Sequence, residues 1–143
     1  MIYSNACEYG IRAMTFLARH HDDLHLARNI AEAEEIPYFF LSKILQSLAR
    51  DGLLKSTKGR GGGFQLARTP KKITLYQIKV SIDGADDLEE CAVGLNRCND
   101  RQPCPLHDTF KPLRGQIRKY LKETTLFDMG LAVDEKRKSK SRK

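Results

Sequence analysis

Apolar residues recur at helical spacing along most of this chain, and alternate in one short interval. Over residues 5–21, Ala6, Tyr9, Ala13, Phe16 and Leu17 fall on one face and predict a helix. Asn5 or Ser4 can cap its start, and Glu8 lies in the first turn, where a carboxylate is favoured. His20 to Leu24 is a polar break. A second helix over 26–35 would turn Leu26, Ile30 and Ala33 inward, and Ile36-Pro37 ends it. The third runs from about Pro37 to Arg50. It buries Leu41, Ile44, Leu45 and Leu48, and leaves Phe39, Lys43, Gln46 and Arg50 on the far side with Tyr38 and Ser42 alongside.

Leu53 to Lys58 reads as a strand, Gly59 to Gly63 as a turn, and Phe64 to Ala67 alternates as the return strand. Thr74 caps a helix through about Ile82 with Leu75, Ile78 and Ile82 inward, and Asp83-Gly84 stops it. A long helix from Pro105 to Thr124 carries Phe110, Leu113, Ile117, Tyr120 and Leu121 in one stripe, and a short helix spans Thr125 to Leu131. The pattern predicts a mainly α fold with a small β-hairpin wing. The expected parts are a winged helix-turn-helix over 1–84, a cysteine loop over 85–106, two helices over 107–131, and a basic, disordered tail over 132–143. The long helix is not needed to complete the first core, so its stripe predicts a two-fold dimer or packing against the first helix.

Two helices joined by a tight turn, the second presenting Ser42, Lys43, Gln46 and Arg50, have the shape of a DNA reader. Exposed Tyr38 and Phe39 suit thymine methyls or the sugar backbone. The glycine-rich tip fails as a nucleotide cradle, because no Gly-Lys-Ser/Thr follows and it leads into a strand. It reads as a wing whose Lys58 and Arg60 reach a narrow groove, or as a flexible hairpin. Charge changes this picture little. The net charge is +7, but the tail from Asp134 supplies +4 of it. No membrane-length apolar run and no signal peptide are visible, so a cytoplasmic protein is expected.

The four cysteines then read as ligands or redox groups rather than a disulfide frame. Three fall in Cys91-(x6)-Cys98-(x5)-Cys104-(x2)-His107, flanked by Asp86, Asp87, Glu89 and Glu90. This polar, turn-rich segment has little to bury, and thiolates suit iron–sulfur or zinc. The gaps exceed those of short zinc knuckles, which favours a cluster over zinc, and zinc over bare thiols. His107, one turn past Cys104, is one candidate fourth ligand; Glu8, from the partner subunit, is the other. Cys7 reads as a small semi-buried residue, and His20, His21 and His25 as a solvated loop rather than a metal site. No acid–base or nucleophile–base constellation appears, so an enzyme is not expected.

Several motifs recur here in one order: Cys7-Glu8-Tyr9-Gly10-Ile11-Arg12-Ala13-Met14, Ile36-Pro37 with Leu41-Ser42-Lys43-Ile44-Leu45, Gly52-Leu53-Leu54, Gly59 to Leu66, and the three-cysteine loop. Together they resemble the winged-helix regulators that include the iron–sulfur cluster regulator (IscR) and the nitric-oxide-sensitive repressor (NsrR). The resemblance covers about residues 1–131. It implies a bacterial homodimeric transcription factor whose third helix enters the major groove of double-stranded DNA and whose wing enters the minor groove. It also implies a 2Fe–2S or 4Fe–4S cluster on Cys91, Cys98 and Cys104. His107 matches the fourth ligand of one branch, and Glu8 the acidic ligand of the other. The first cysteine gap is six where those branches usually show five, and Phe39 and Lys43 depart from the polar residues of the first branch. The expected function is a repressor sensing redox state, nitric oxide or iron–sulfur status. The alternative is a cluster-free regulator using zinc, thiol oxidation or a partner protein.

Overall fold

A computed structural model of the chain describes residues 2–85 and 100–141. Its elements are α1 (Asn5–Arg19), α2 (Ala27–Glu34), α3 (Tyr38–Arg50), β1 (Leu54–Thr57), β2 (Gly63–Leu66), a 3-10 turn (Pro70–Lys72), α4 (Leu75–Asp83), α5 (His107–Glu123) and α6 (Leu126–Ser141). Among the described residues the fold is mainly α with one antiparallel hairpin, as the hydrophobic pattern predicts. No helix among them is long and apolar enough to cross a membrane.

The core is assembled from the predicted stripes. Met14 and Leu17 of α1, Ile30 of α2, Leu41, Leu45 and Leu48 of α3, and Ile78 of α4 are almost wholly buried. Each such side chain contributes about 1.5–3 kcal/mol of transfer free energy. Cys7 joins this core, fully buried. Gly10 lets α1 and α4 approach closely, since a Cβ there would lie 2.3 Å from Ile82 Cδ1.

Side-chain caps define the starts of α1 and α4. Ser4 caps α1, its hydroxyl oxygen accepting from the Cys7 N–H at 3.0 Å. Asp83, the last residue of α4, in turn accepts from the Ser4 N–H at 2.8 Å and from its hydroxyl. Thr74 and Gln77 form a reciprocal capping box at the start of α4. The α5–α6 corner is pinned to the body of the fold by backbone bonds, Leu75 N–H to Thr124 O at 3.0 Å and Leu126 N–H to Ile73 O at 2.9 Å.

The structure corrects four expectations. On α2, Ile30 and Ala31 are buried, whereas Leu26 and Ala33 are exposed. An eight-residue helix lets α3 cover only a narrow strip. Residues 20–25 are not simply solvated: the His25 backbone bridges to Phe64, donating to its carbonyl at 3.0 Å and accepting from its N–H at 2.7 Å. The long helix begins at His107 rather than Pro105.

The last correction concerns the tail. It is not disordered over 132–141, because α6 continues to Ser141. The reason is docking: Arg19 on α1 donates to Asp134 at 2.7 Å, and Arg137 pairs with Glu34 of α2 at 3.3 Å.

Candidate nucleic-acid interface and cysteine site

The turn between α2 and α3 is Glu35-Ile36-Pro37. Glu35 takes the left-handed conformation (φ 53°) that reverses the chain, and Ile36 is buried beneath it. This fixes α3 by its buried stripe and leaves one ridge outside. Phe39, Lys43, Gln46 and Arg50 are all exposed along that ridge, at helical spacing. Tyr38 and half-buried Ser42 form the next row, facing the hairpin.

Between that row and β1–β2 runs a groove of about 410 Å³, lined among others by Arg28, Tyr38, Ser42, Gln46, Ser56 and Thr57. Lys58 and Arg60 are exposed beyond it at the hairpin tip. The hairpin pairs Leu54 with Leu66 and Thr57 with Gly63. All eight sequence-predicted DNA contacts therefore lie on α3 or the hairpin.

The glycines of the tip have a role inside the hairpin. A Cβ on Gly62 would lie 2.1 Å from the Thr57 carbonyl oxygen, and one on Gly63 2.6 Å from that of His25. The turn thus closes by backbone approach that any side chain would block.

The starts of α2 and α3 differ from those of α1 and α4. Neither has a side-chain cap, and neither has an acidic residue in its first turn. Their first-turn N–H groups retain their attraction for anions such as backbone phosphates. Sequence reasoning missed two neighbours of this surface. Arg28 places its guanidinium 5.6 Å from the centre of the Tyr38 ring, and Phe40 is 62% exposed. A basic residue two positions after Leu26, in the first of two paired helices, was the only signal for Arg28.

The cysteine site is described in part. Cys91 and Cys98 lie outside the described residues. Cys104 is half-buried just before α5, and its carbonyl accepts the His107 N–H at 3.0 Å, so the two share one turn. His107 is buried, and its Nε2 lies 2.8 Å from Asp100 Oδ1, which also accepts from Lys111 Nζ at 2.7 Å. The hydrogen bonds from Lys111 and then His107 hold the Asp100 carboxyl below the usual carboxylate range. An ionised Asp100 only accepts, so the Nε2 that faces it is the donor.

Glu8 is exposed in the first turn of α1. Among the described residues no group of three or more His, Cys, Asp or Glu is gathered to hold a metal ion. The buried Lys79 of α4, engaged within the fold, carried no sequence signal beyond its place on that helix.

A sequence profile of the family described as Rrf2, iron-dependent transcriptional regulator, matches residues 3–130. A protein of Aquifex aeolicus named as an HTH-type transcriptional regulator is 34% identical over 138 residues, 95% of each chain. One from Mycobacterium tuberculosis, of the same description, is 35% identical over 132 residues, covering 90% of this chain and 81% of its own. CymR of B. subtilis, described as its global cysteine regulator, superposes with a TM-score of 0.78 at 23% identity, over 90% of this chain and 95% of its own. IscR of T. potens superposes with a TM-score of 0.74 at 26% identity, over 92% and 88%.

Proposed function

The chain belongs to the Rrf2 family of transcriptional regulators, DNA-binding proteins rather than enzymes, and on that premise we propose a homodimeric bacterial repressor governed by an iron–sulfur cluster. It acts on promoter DNA in the cytoplasm. The observation that supports the DNA half is the exposed ridge Phe39–Lys43–Gln46–Arg50 set beside a hairpin tipped by Lys58 and Arg60. The ridge enters the major groove and the tip the flanking minor groove.

Cys91, Cys98 and Cys104 supply thiolates to a 2Fe–2S or 4Fe–4S cluster, and His107 or the partner subunit's Glu8 takes the fourth position. The donor set fits. Soft sulfur ligands suit iron–sulfur chemistry, and a carboxylate on the far nitrogen of an imidazole is the usual orienting partner of a metal-bound histidine. Asp100 stands in that place for His107. When bound, the cluster supplies a redox-active centre open to oxidants or nitric oxide. The chain's own part is to order the segment before α5 when the ligands close on it, and to pass that order to the reading heads through α4 and α1. Asp83 and Ser4 join those two helices.

A second reading is a cluster-free regulator of the same fold, with zinc, thiol oxidation or a partner protein as signal. One feature favours it: Asp100, itself paired with Lys111, already holds the buried His107 by a bond within the chain.

Full-length protein purified without oxygen separates the two. The cluster reading expects visible charge-transfer absorption, its loss in Cys98→Ala with the dimer intact, and promoter affinities differing roughly 5- to 150-fold between loaded and stripped protein. Colourless protein with stoichiometric zinc would overturn it.

A further inference from the structure

We propose that Phe39 reads the C5-methyl group of a thymine in the major groove, so that this regulator's operator affinity depends on a single methyl in each half-site. The inference rests on the reading of α3 as the major-groove element and adds the chemical feature it recognises.

Phe39 is 81% exposed, more than any other large apolar residue of the described chain. Its ring forgoes most of the burial that would stabilise an aromatic side chain of its size. It also stands on the one ridge whose other members, Lys43, Gln46 and Arg50, are polar. Phe40 is exposed too, but it lies a step round the helix, in line with buried Ile44. Tyr38 flanks the Phe39 ring at 5.9 Å, and Arg28 braces Tyr38 in turn.

Phe39 is the second residue of α3. The first residues of a recognition helix are those that meet base edges. Those edges present donors and acceptors, which a phenyl ring would desolvate without replacing their hydrogen bonds. The one apolar group they offer is the thymine methyl. A ring in this place therefore favours thymine by contact and disfavours the other bases by desolvation.

The test uses full-length protein and a duplex that it selects from a random-sequence library. Each thymine is then replaced singly by deoxyuridine, which removes the methyl and keeps the base pair. Wild-type protein should lose roughly fourfold in affinity at one thymine of each half-site and little elsewhere. Phe39→Ala should bind thymine and uracil duplexes alike, and Phe39→Leu should keep part of the difference. Tight wild-type binding that tolerates uracil at every position would overturn the inference and leave the DNA-reading assignment standing. The same uracil sensitivity in Phe39→Ala would overturn it equally, by assigning the methyl to another residue. Failure to enrich any duplex would overturn the assignment of α3 itself.

Discussion

Gly62 and Arg60 lie two positions apart in the hairpin tip and answer to different forces. Gly62 is needed for closure, because a Cβ meets the backbone at Thr57 and Gly59, which cannot give way. Gly62→Ala should destabilise the protein by about 1–3 kcal/mol, read by urea unfolding, with amide exchange accelerated in the hairpin. Arg60 is exposed at the hairpin tip. Arg60→Ala should leave stability within about 0.5 kcal/mol while weakening binding to duplexes with A·T-rich flanks, read by titration at fixed salt. Equal loss of stability in both variants would mean that Arg60 is structural. The glycine run was legible as a turn from sequence. Its steric cause was not, because the atoms concerned belong to Thr57 and to His25, which is distant in the chain.

At the scale of elements, α6 departs most from its local sequence. Past Leu131 it has no apolar periodicity, and four of its last residues are basic. Its order comes from partners more than a hundred positions away, Arg19 for Asp134 and Glu34 for Arg137. Arg19 is largely shielded and Asp134 about half exposed, so Asp134→Ala should cost about 0.5–1 kcal/mol. A chain ending at Leu131 should lose the circular-dichroism signal of the missing turns. Retention of the full helical signal would contradict the docking.

The start of α6 adds a pH dependence. The Thr125 N–H and hydroxyl hold the Asp128 carboxyl below its ordinary range. That cap is fully present above the ordinary carboxylate pKa and is lost as pH falls through the lowered value. α3 is the opposite case. Its stripe of Leu41, Ile44, Leu45 and Leu48 was readable at once, because local periodicity and burial agree.

For the whole molecule, the proposed dimer turns on α5. Leu106, Leu113 and Tyr120 are between 38% and 50% exposed in the single chain, and Phe110 and Ile117 are half-buried beside them. Of the predicted stripe, only Leu121 is fully buried within its own chain. A second copy of α5 is the partner this face suits. Leu113→Glu should convert the dimer to monomer on sizing and reduce operator affinity, since one protomer reads only one half-site. A dimer that survives this charge would place the interface elsewhere.

The sequence by itself determined the helices, the hairpin, the exposed ridge of α3 and the spacing of the cysteines. Each of these is written in local periodicity, turn chemistry or ligand type. Only the tertiary structure decided that the basic tail is a docked helix, that His25 completes the hairpin edge, and that Asp100 orients His107. Those features depend on groups brought together by packing. Ion pairs and backbone approaches of that kind leave no period in the chain.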